Sequence, residues 1–401
     1  MMLEPAIVSP AEAADRPGSG AGRGAVSRPL LLCFSHLRWD FVWQRPQHLL
    51  TRAAASYDVI FVEEPVRRPV STPELEVSTR RGGVRVALPV LPDGMDEADG
   101  VRAQRRLVED LLAGTRPRVL WFYTPMAVPL AAGLEADVVV YDNMDELSAF
   151  RGASPEMLAN EAELFRRADL VFTGGMSLYE AKRGRHPRVF AHPSSIDTAH
   201  FAAARLGTEP DPPDQAPIGR PRLGFFGVID ERMDIDLVRA LAGLRPDWQV
   251  VMVGPVVKID PATLPRPANV HWLGPKSYDV LPSYLAGWDV GLMPFALNES
   301  TRFISPTKTP EFLAAGLPVV STAIADVVRP YGEAGLVDIV ADASGMAAAV
   351  ERSLVAPRAD WLARVDRHLE RSSWDGTWAA MNRTIEQALS VACAEAGTGR
   401  A

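Results

Sequence analysis

The sequence predicts an α/β protein built from two doubly wound, Rossmann-like domains that face each other across a cleft. Three observations lead there. Short apolar runs bounded by turn residues alternate with helix-length segments, the pattern of buried parallel strands joined by crossover helices. The alternation occurs twice, broken by Gly207-Thr-Glu-Pro-Asp-Pro-Pro-Asp-Gln-Ala-Pro-Ile-Gly-Arg-Pro221, a Pro-rich polar stretch with no periodicity. At 401 residues the chain is also too long for one ordinary core. The expected division is a disordered tail over 1–28, a first domain over 29–205 and a linker over 206–220. A second domain over 221–375 and a C-terminal helix with tail over 376–401 complete it.

The first strand is Pro29-Leu-Leu-Leu-Cys-Phe-Ser35, apolar throughout as a doubly covered strand must be. A Trp- and Arg-rich loop follows, then a helix through residues 47–55 and a strand at Val59-Ile-Phe-Val62. Further strands are expected at 119–123, 138–141, 170–173 and 188–191. After the Pro-rich break the strands fall at 223–226, 249–253, 270–273, 289–293 and 336–340, with helices at 235–244 and 278–286. The segment 305–322 is the most sharply punctuated. Pro310 is confined to a first helical turn, so a helix should begin near Thr307; Gly316 ends it, Pro318 blocks continuation, and Val319-Val320 opens a strand. Helical stretches around 346–354, 360–369 and 377–394 close the chain.

Composition narrows the function. Apolar residues make up 47% and charged residues 23%, as in a globular protein. A net charge of −8 and a pI near 5.5 argue against nucleic-acid binding. Only Cys33 and Cys393 occur, far apart and without metal-ligand spacing, so neither structural zinc nor disulfides are expected, and a reducing, cytoplasmic setting fits. No apolar run reaches the length of a membrane span. The Arg pairs at 67–68, 80–81 and 105–106 read as solvated surface or as peripheral contact with anionic lipid at the inner face of a membrane.

Chemistry concentrates at the expected carboxyl ends of the strands. Ser305, Thr307 and Lys308 precede or open the helix near 307, where an ammonium and free amides suit a phosphate; Glu311, one turn on, suits sugar hydroxyls. Lysine occurs only at 182, 258, 276 and 308 in a chain that otherwise uses Arg, which marks a point charge as wanted at 308. A surface helix with a dipole-complementing Glu remains the plain alternative. Gly227 and Gly254 end strands at tight turns where backbone can approach a ligand, and Arg232 offers a fork for a diphosphate; simple turns and a surface Arg are the alternatives. Asp142 and Asp145 leave a buried strand near the cleft, each as a base, a partner for an oxocarbenium-like centre, or a helix cap. In the loop after the first strand, Trp39 and Trp43 offer faces for sugar rings and Arg38, Gln44 and Arg45 offer donors, unless the loop folds under as local core. His36 is a further acid/base candidate.

The order of elements, with Glu311-Phe-Leu-Ala-Ala-Gly-Leu-Pro-Val-Val320, resembles the GT-B glycosyltransferases, especially family-4-like bacterial enzymes of cell-surface polysaccharides. The opening Ser35-His-Leu-Arg-Trp-Asp-Phe-Val-Trp-Gln-Arg-Pro-Gln-His48 and Tyr141-Asp-Asn-Met-Asp-Glu146 are similar to the subgroup of teichuronic-acid-type transferases. The resemblance spans residues 29 to 385 and implies final helices that cross back to the first domain. It gives Glu311 the second place of an E-x7-E motif, holding the donor ribose; the first place is filled by Phe303. It gives Lys308 and Arg232 to a diphosphate, with Val228 at the other basic position, and puts Asp142 where a catalytic His or Asp stands. The implied activity is metal-independent sugar transfer, with no cofactor, from a nucleotide sugar such as a UDP-sugar to a glycan or lipid-linked saccharide. A sugar-nucleotide epimerase and a non-catalytic nucleotide-sugar binder are the alternatives, the latter favoured by Phe303.

Overall fold

The computed structural model describes residues 28–208 and 210–398. The tail expected over 1–28 lies outside the described residues except for Arg28. The first lobe carries nine strands: β1 (Leu30–Phe34), β2 (Asp58–Val62), β3 (Val66–Arg68), β4 (Glu74–Thr79), β5 (Arg85–Pro92), β6 (Val119–Phe122), β7 (Val138–Asn143), β8 (Leu170–Thr173) and β9 (Val189–Ala191). Their order is β3-β5-β2-β1-β6-β7-β8-β9, parallel throughout, with β4 antiparallel on β5. The second lobe is a parallel sheet of β10 (Arg222–Phe226), β11 (Gln249–Val253), β12 (Val270–Gly274), β13 (Val290–Met293), β14 (Val319–Ser321) and β15 (Val337–Ile339), ordered β12-β11-β10-β13-β14-β15.

Each sheet starts near its middle and reverses winding there, between β1 and β6 in one lobe and between β10 and β13 in the other. Loops leaving the carboxyl ends at such reversals splay apart and leave a crevice for ligands. Every residue of β1 and β6 is buried, which is why both read as unbroken apolar runs.

Three differences from the sequence reading have physical causes. Strands β3, β4 and β5 were not anticipated: β4 (Glu-Leu-Glu-Val-Ser-Thr) sits at an exposed edge and lacks the apolar run of a buried strand. Residues 206–220 are not a free linker. Ile218 joins the second core, and Gln215 is locked by accepting from Trp288 Nε1 at 2.7 Å and donating to the Tyr284 carbonyl at 3.0 Å. Ile196, Phe201 and Ala204 already belong to that core, so the chain has changed lobes by residue 196. The last helix, Trp374–Thr398, returns to the first lobe and buries Trp374, Trp378, Met381, Ile385 and Leu389 in its core. Among the described residues no helix is long and apolar enough to cross a membrane.

Candidate functional site

The second lobe supplies the basic wall of the cleft. A helix over Lys308–Ala314 follows N-cap Thr307, with Pro310 in its first turn. Lys308 is half-buried and makes no ion pair among the described residues; its ammonium lies 5.9 Å from the Phe226 ring centre. Two glycines make that position accessible. A Cβ on Gly227, at φ +135°, would stand 2.3 Å from Lys308 Cε, and one on Gly254, at φ +143°, would stand 1.8 Å from the Gly227 carbonyl oxygen. Both glycines are therefore sites of close approach within the protein, Gly227 to Lys308 and Gly254 to Gly227. Burial lowers the Lys308 pKa, opposed by the Glu311 charge. Glu311 is only 5% exposed, and its Oε2 has no hydrogen-bond partner among the described residues. Burial pushes its carboxyl up to about 7, against the pull of Lys308 and of a hydrogen bond from Thr307.

Arg232 also faces the cleft, but its fork is partly occupied. Nε and Nη2 donate to the buried Asp230 carboxylate at 2.7–3.1 Å, and the guanidinium lies 5.3 Å from the ring centre of Phe150, a first-lobe residue. Ser305, Pro306 and Thr307 complete this wall, and Val228 lines it where a second cation was looked for. Phe303 packs its ring on Arg302 at 5.1 Å and brings no carboxylate.

The first-lobe wall separates the two aspartates. Strand β7 runs two residues beyond the sequence expectation, so Asp142 is a strand residue with 0% exposure. It accepts from Arg45 Nε at 3.0–3.1 Å and from Nη2 at 2.9 Å, while Arg45 Nη1 donates to the His192 carbonyl at 2.7 Å. Asp142 is therefore neither a base in the cleft nor a helix cap, and Arg45, 2% exposed, is spent on that pair rather than on an acceptor. Asp145 caps no helix either. It emerges half-buried into the cleft, where burial raises its pKa and Arg232 is the strongest opposing influence, helped by Lys308 and Lys258. Its loop is fixed from both sides. Asn143 donates to the Asp145 carbonyl at 3.0 Å, and Lys182 Nζ holds Glu146 at 2.7 Å and Glu161 at 2.8 Å.

The aromatic loop is mostly local core. Trp39 is 3% exposed and packs edge-on against Phe61 at 5.0 Å. Trp43 bridges the lobes, 5.8 Å from Tyr278 of the second. Arg38 pairs with Glu63 at 3.2 Å and with the carbonyls of Glu64 and Pro65. None of the three is an open platform for a sugar. Gln44 does line the cleft, where it also N-caps the helix Arg45–Ala53. His36 is driven down to about 4 by burial and by Lys258, so it is neutral near pH 7, and its buried Nδ1 has no partner among the described residues.

The cavity bounded by Gln44, Asp145, Ser194, Arg232, Ser305 and Lys308 holds about 90 Å³, smaller than the usual small-molecule pocket. Its chemistry is an ammonium with no ion pair among the described residues and an Arg fork shared with Asp230 on one side, and one carboxylate on the other. That suits an anionic ligand delivered against a group able to take a proton. Sequence reasoning missed Phe150, Asp230, Ser194 and the role of Lys258. The scarcity of lysine was the available signal. Lys182 and Lys276 pair with carboxylates, whereas Lys258 and Lys308 do not. Among the described residues no group of three or more His, Cys, Asp or Glu side chains is placed to hold a metal ion.

Residues 220–355, most of the second lobe, match the family model described as glycosyl transferases group 1. A Bacillus subtilis (strain 168) protein named as a teichuronic acid biosynthesis glycosyltransferase, TuaH, is 28% identical over 236 residues, 53% of this chain and 58% of its own length. Among solved structures, the sucrose-phosphate synthase of Thermosynechococcus elongatus superposes with a TM-score of 0.68 at 15% identity, over 91% of this chain and 100% of its own. Anabaena HepE, solved with UDP and glucose, gives 0.63 at 13% identity, over 90% and 100%. These superpositions fix the fold as GT-B.

Proposed function

We infer that this chain, a GT-B protein whose second lobe matches the glycosyl transferases group 1 model, transfers a sugar from a nucleotide-sugar donor to a hydroxyl of a glycan or lipid-linked saccharide. One observation carries the reading: the ammonium of Lys308 has no ion partner among the described residues and lines the interlobe cavity that Asp145 lines from the other side. The partial likeness to TuaH supports a cell-surface polysaccharide as the destination, and the UDP held by the HepE structure supports a uridine nucleotide. Two free cysteines, Cys33 and Cys393, support a reducing, cytoplasmic compartment.

In this reading the donor diphosphate sits against Lys308 and Arg232. Negative charge grows on it as the glycosidic bond breaks, so fixed cations there lower the barrier more than they tighten ground-state binding. Glu311 accepts from the ribose hydroxyls. Asp145, held above the ordinary carboxylate range by burial, takes the proton of the acceptor hydroxyl or steadies the sugar's positive charge. Closure of the lobes keeps water from the activated sugar.

The test is a panel of nucleotide sugars incubated with and without saccharide acceptors. Acceptor-dependent release of nucleotide is expected. Turnover of donor alone into an epimer, or binding without turnover, would reject sugar transfer. Lys308→Ala should weaken UDP binding by about tenfold or more, the loss of one charge-assisted contact, with unchanged circular dichroism. Unchanged affinity in calorimetry would remove the site.

A further inference from the structure

We propose that Phe150 is the positioning residue that couples the grip on the donor to closure of the lobes. It lies in the first lobe, five residues beyond Asp145, yet both of its close cationic neighbours belong to the second. Arg232, in the loop after β10, places its guanidinium 5.3 Å from the Phe150 ring centre, and Lys258, in the loop after β11, places its ammonium 5.2 Å away. The next residue strengthens the attachment, since the Arg151 amide donates to Glu231 Oε1 at 3.4 Å. One first-lobe ring thus engages loops that follow two adjacent second-lobe strands.

The arrangement of the cations shows why a ring is useful there. Asp230 fixes two nitrogens of Arg232, leaving Nη1 for a ligand, so the plane of the fork depends on what supports its face. Lys258 has no ion pair among the described residues and adopts a left-handed φ of +60°, uncommon for a side-chain-bearing residue. Its charge is felt by His36, Glu64 and Asp145, all in the first lobe. A π face holds cations without neutralising them, whereas a carboxylate in its place would cancel the charge the diphosphate requires. Because the ring and the cations belong to different lobes, separating the lobes would withdraw the ring, and with the lobes together Arg232 is aligned where Asp145 is presented.

The inference rests on the proposed donor site, and the experiment separates the two. UDP affinity is measured by calorimetry for wild type, Phe150→Leu, Phe150→Tyr and Phe150→Trp, with small-angle scattering on each protein. Leu keeps apolar bulk but has no π face. It should weaken UDP about tenfold, at the desolvated end of cation–π strength, and enlarge the radius of gyration, while Tyr and Trp stay within about threefold of wild type. A series of ring-fluorinated phenylalanines should lower affinity stepwise as fluorine withdraws charge from the ring face. If wild type binds UDP and Leu matches it, or if Tyr and Trp fail as badly as Leu, the coupling is wrong and the donor site stands. Failure of wild type to bind any nucleoside diphosphate would overturn the donor site and the coupling together.

Discussion

Glu311 shows how one buried carboxyl can bias folding and binding in opposite directions. Its folded pKa of about 7 lies above its ordinary value of 4.5, so the folded protein holds the proton more tightly than the unfolded chain. The group costs nothing below pH 4.5, where both states are protonated. As pH rises towards 7 stability falls, and above 7 the full cost applies, on the order of 3 kcal/mol. Glu311→Gln should therefore gain on wild type by about that amount between pH 4.5 and 8 in urea unfolding; a constant offset across that span would reject the assignment. Nucleotide affinity should move the other way. A carboxylate accepting ribose hydroxyls must be ionised, so wild-type UDP affinity should rise as pH passes 7, while the Gln variant stays weak and flat. At this scale the sequence pointed to positions whose covalent type matters, and the structure places Lys308 at the cleft with Gly227 against it and Gly254 against Gly227. The sequence misled where partner choice decided. Arg45 looked like a hydrogen-bond donor to an acceptor sugar and Asp142 like a base or a cap, but these two, far apart in sequence, meet inside the first lobe and consume one another. Nothing local to either residue announces the other.

Between single residues and the whole fold, one helix depends on a cap from the opposite lobe. The helix Met176–Lys182 begins at Gly175, whose missing side chain cannot cap it. Asp326, from the second lobe, supplies the cap instead, its Oδ1 accepting from the Ser177 amide at 2.9 Å, and an exposed Arg329–Glu180 pair at 2.8 Å flanks it. Glycine is required for this approach. A Cβ at 175 would lie 2.2 Å from Asp326 Oδ2 and 2.9 Å from Ser305 Cβ. Gly175→Ala should push the lobes apart, enlarging the radius of gyration in scattering and weakening UDP, whereas Asp326→Ala should cost about 1 kcal/mol as a lost cap with no steric push. Equal scattering curves for Gly175→Ala and wild type would show that the contact yields without opening the cleft. The long, apolar elements were visible in the sequence because burial on both faces leaves an unmistakable run. The β3–β5 excursion and the wrapping of 206–220 were not. An edge strand need not be apolar, and a segment held by scattered polar contacts such as those of Asp211, Asp214 and Gln215, with Ile218 in the core, shows no period at all.

Over the whole molecule, the decisive element is the last helix, because it ties the fate of one lobe to the far end of the chain. Trp374 lies 1% exposed with its ring stacked on His48 at 4.6 Å, and its amide donates to the Ile196 carbonyl at 3.3 Å, just where the chain changes lobes. Trp378 follows one turn later, 6.4 Å from Trp121 of β6. The first-lobe sheet therefore lacks part of its cover until residues beyond 373 have been made, and its loops cannot present Asp145 against Lys308 before then. Removing a buried Trp costs about 3–5 kcal/mol. Trp374→Ala should lower the denaturation midpoint of the first lobe first, followed through a tryptophan-free fluorophore placed on its surface. A truncation ending at Ser373 should bind a hydrophobic dye and lose UDP affinity, although every proposed donor contact lies upstream of the cut. If the truncated chain keeps wild-type UDP affinity, the two lobes do not need this brace, and closure is governed by contacts nearer the cleft alone.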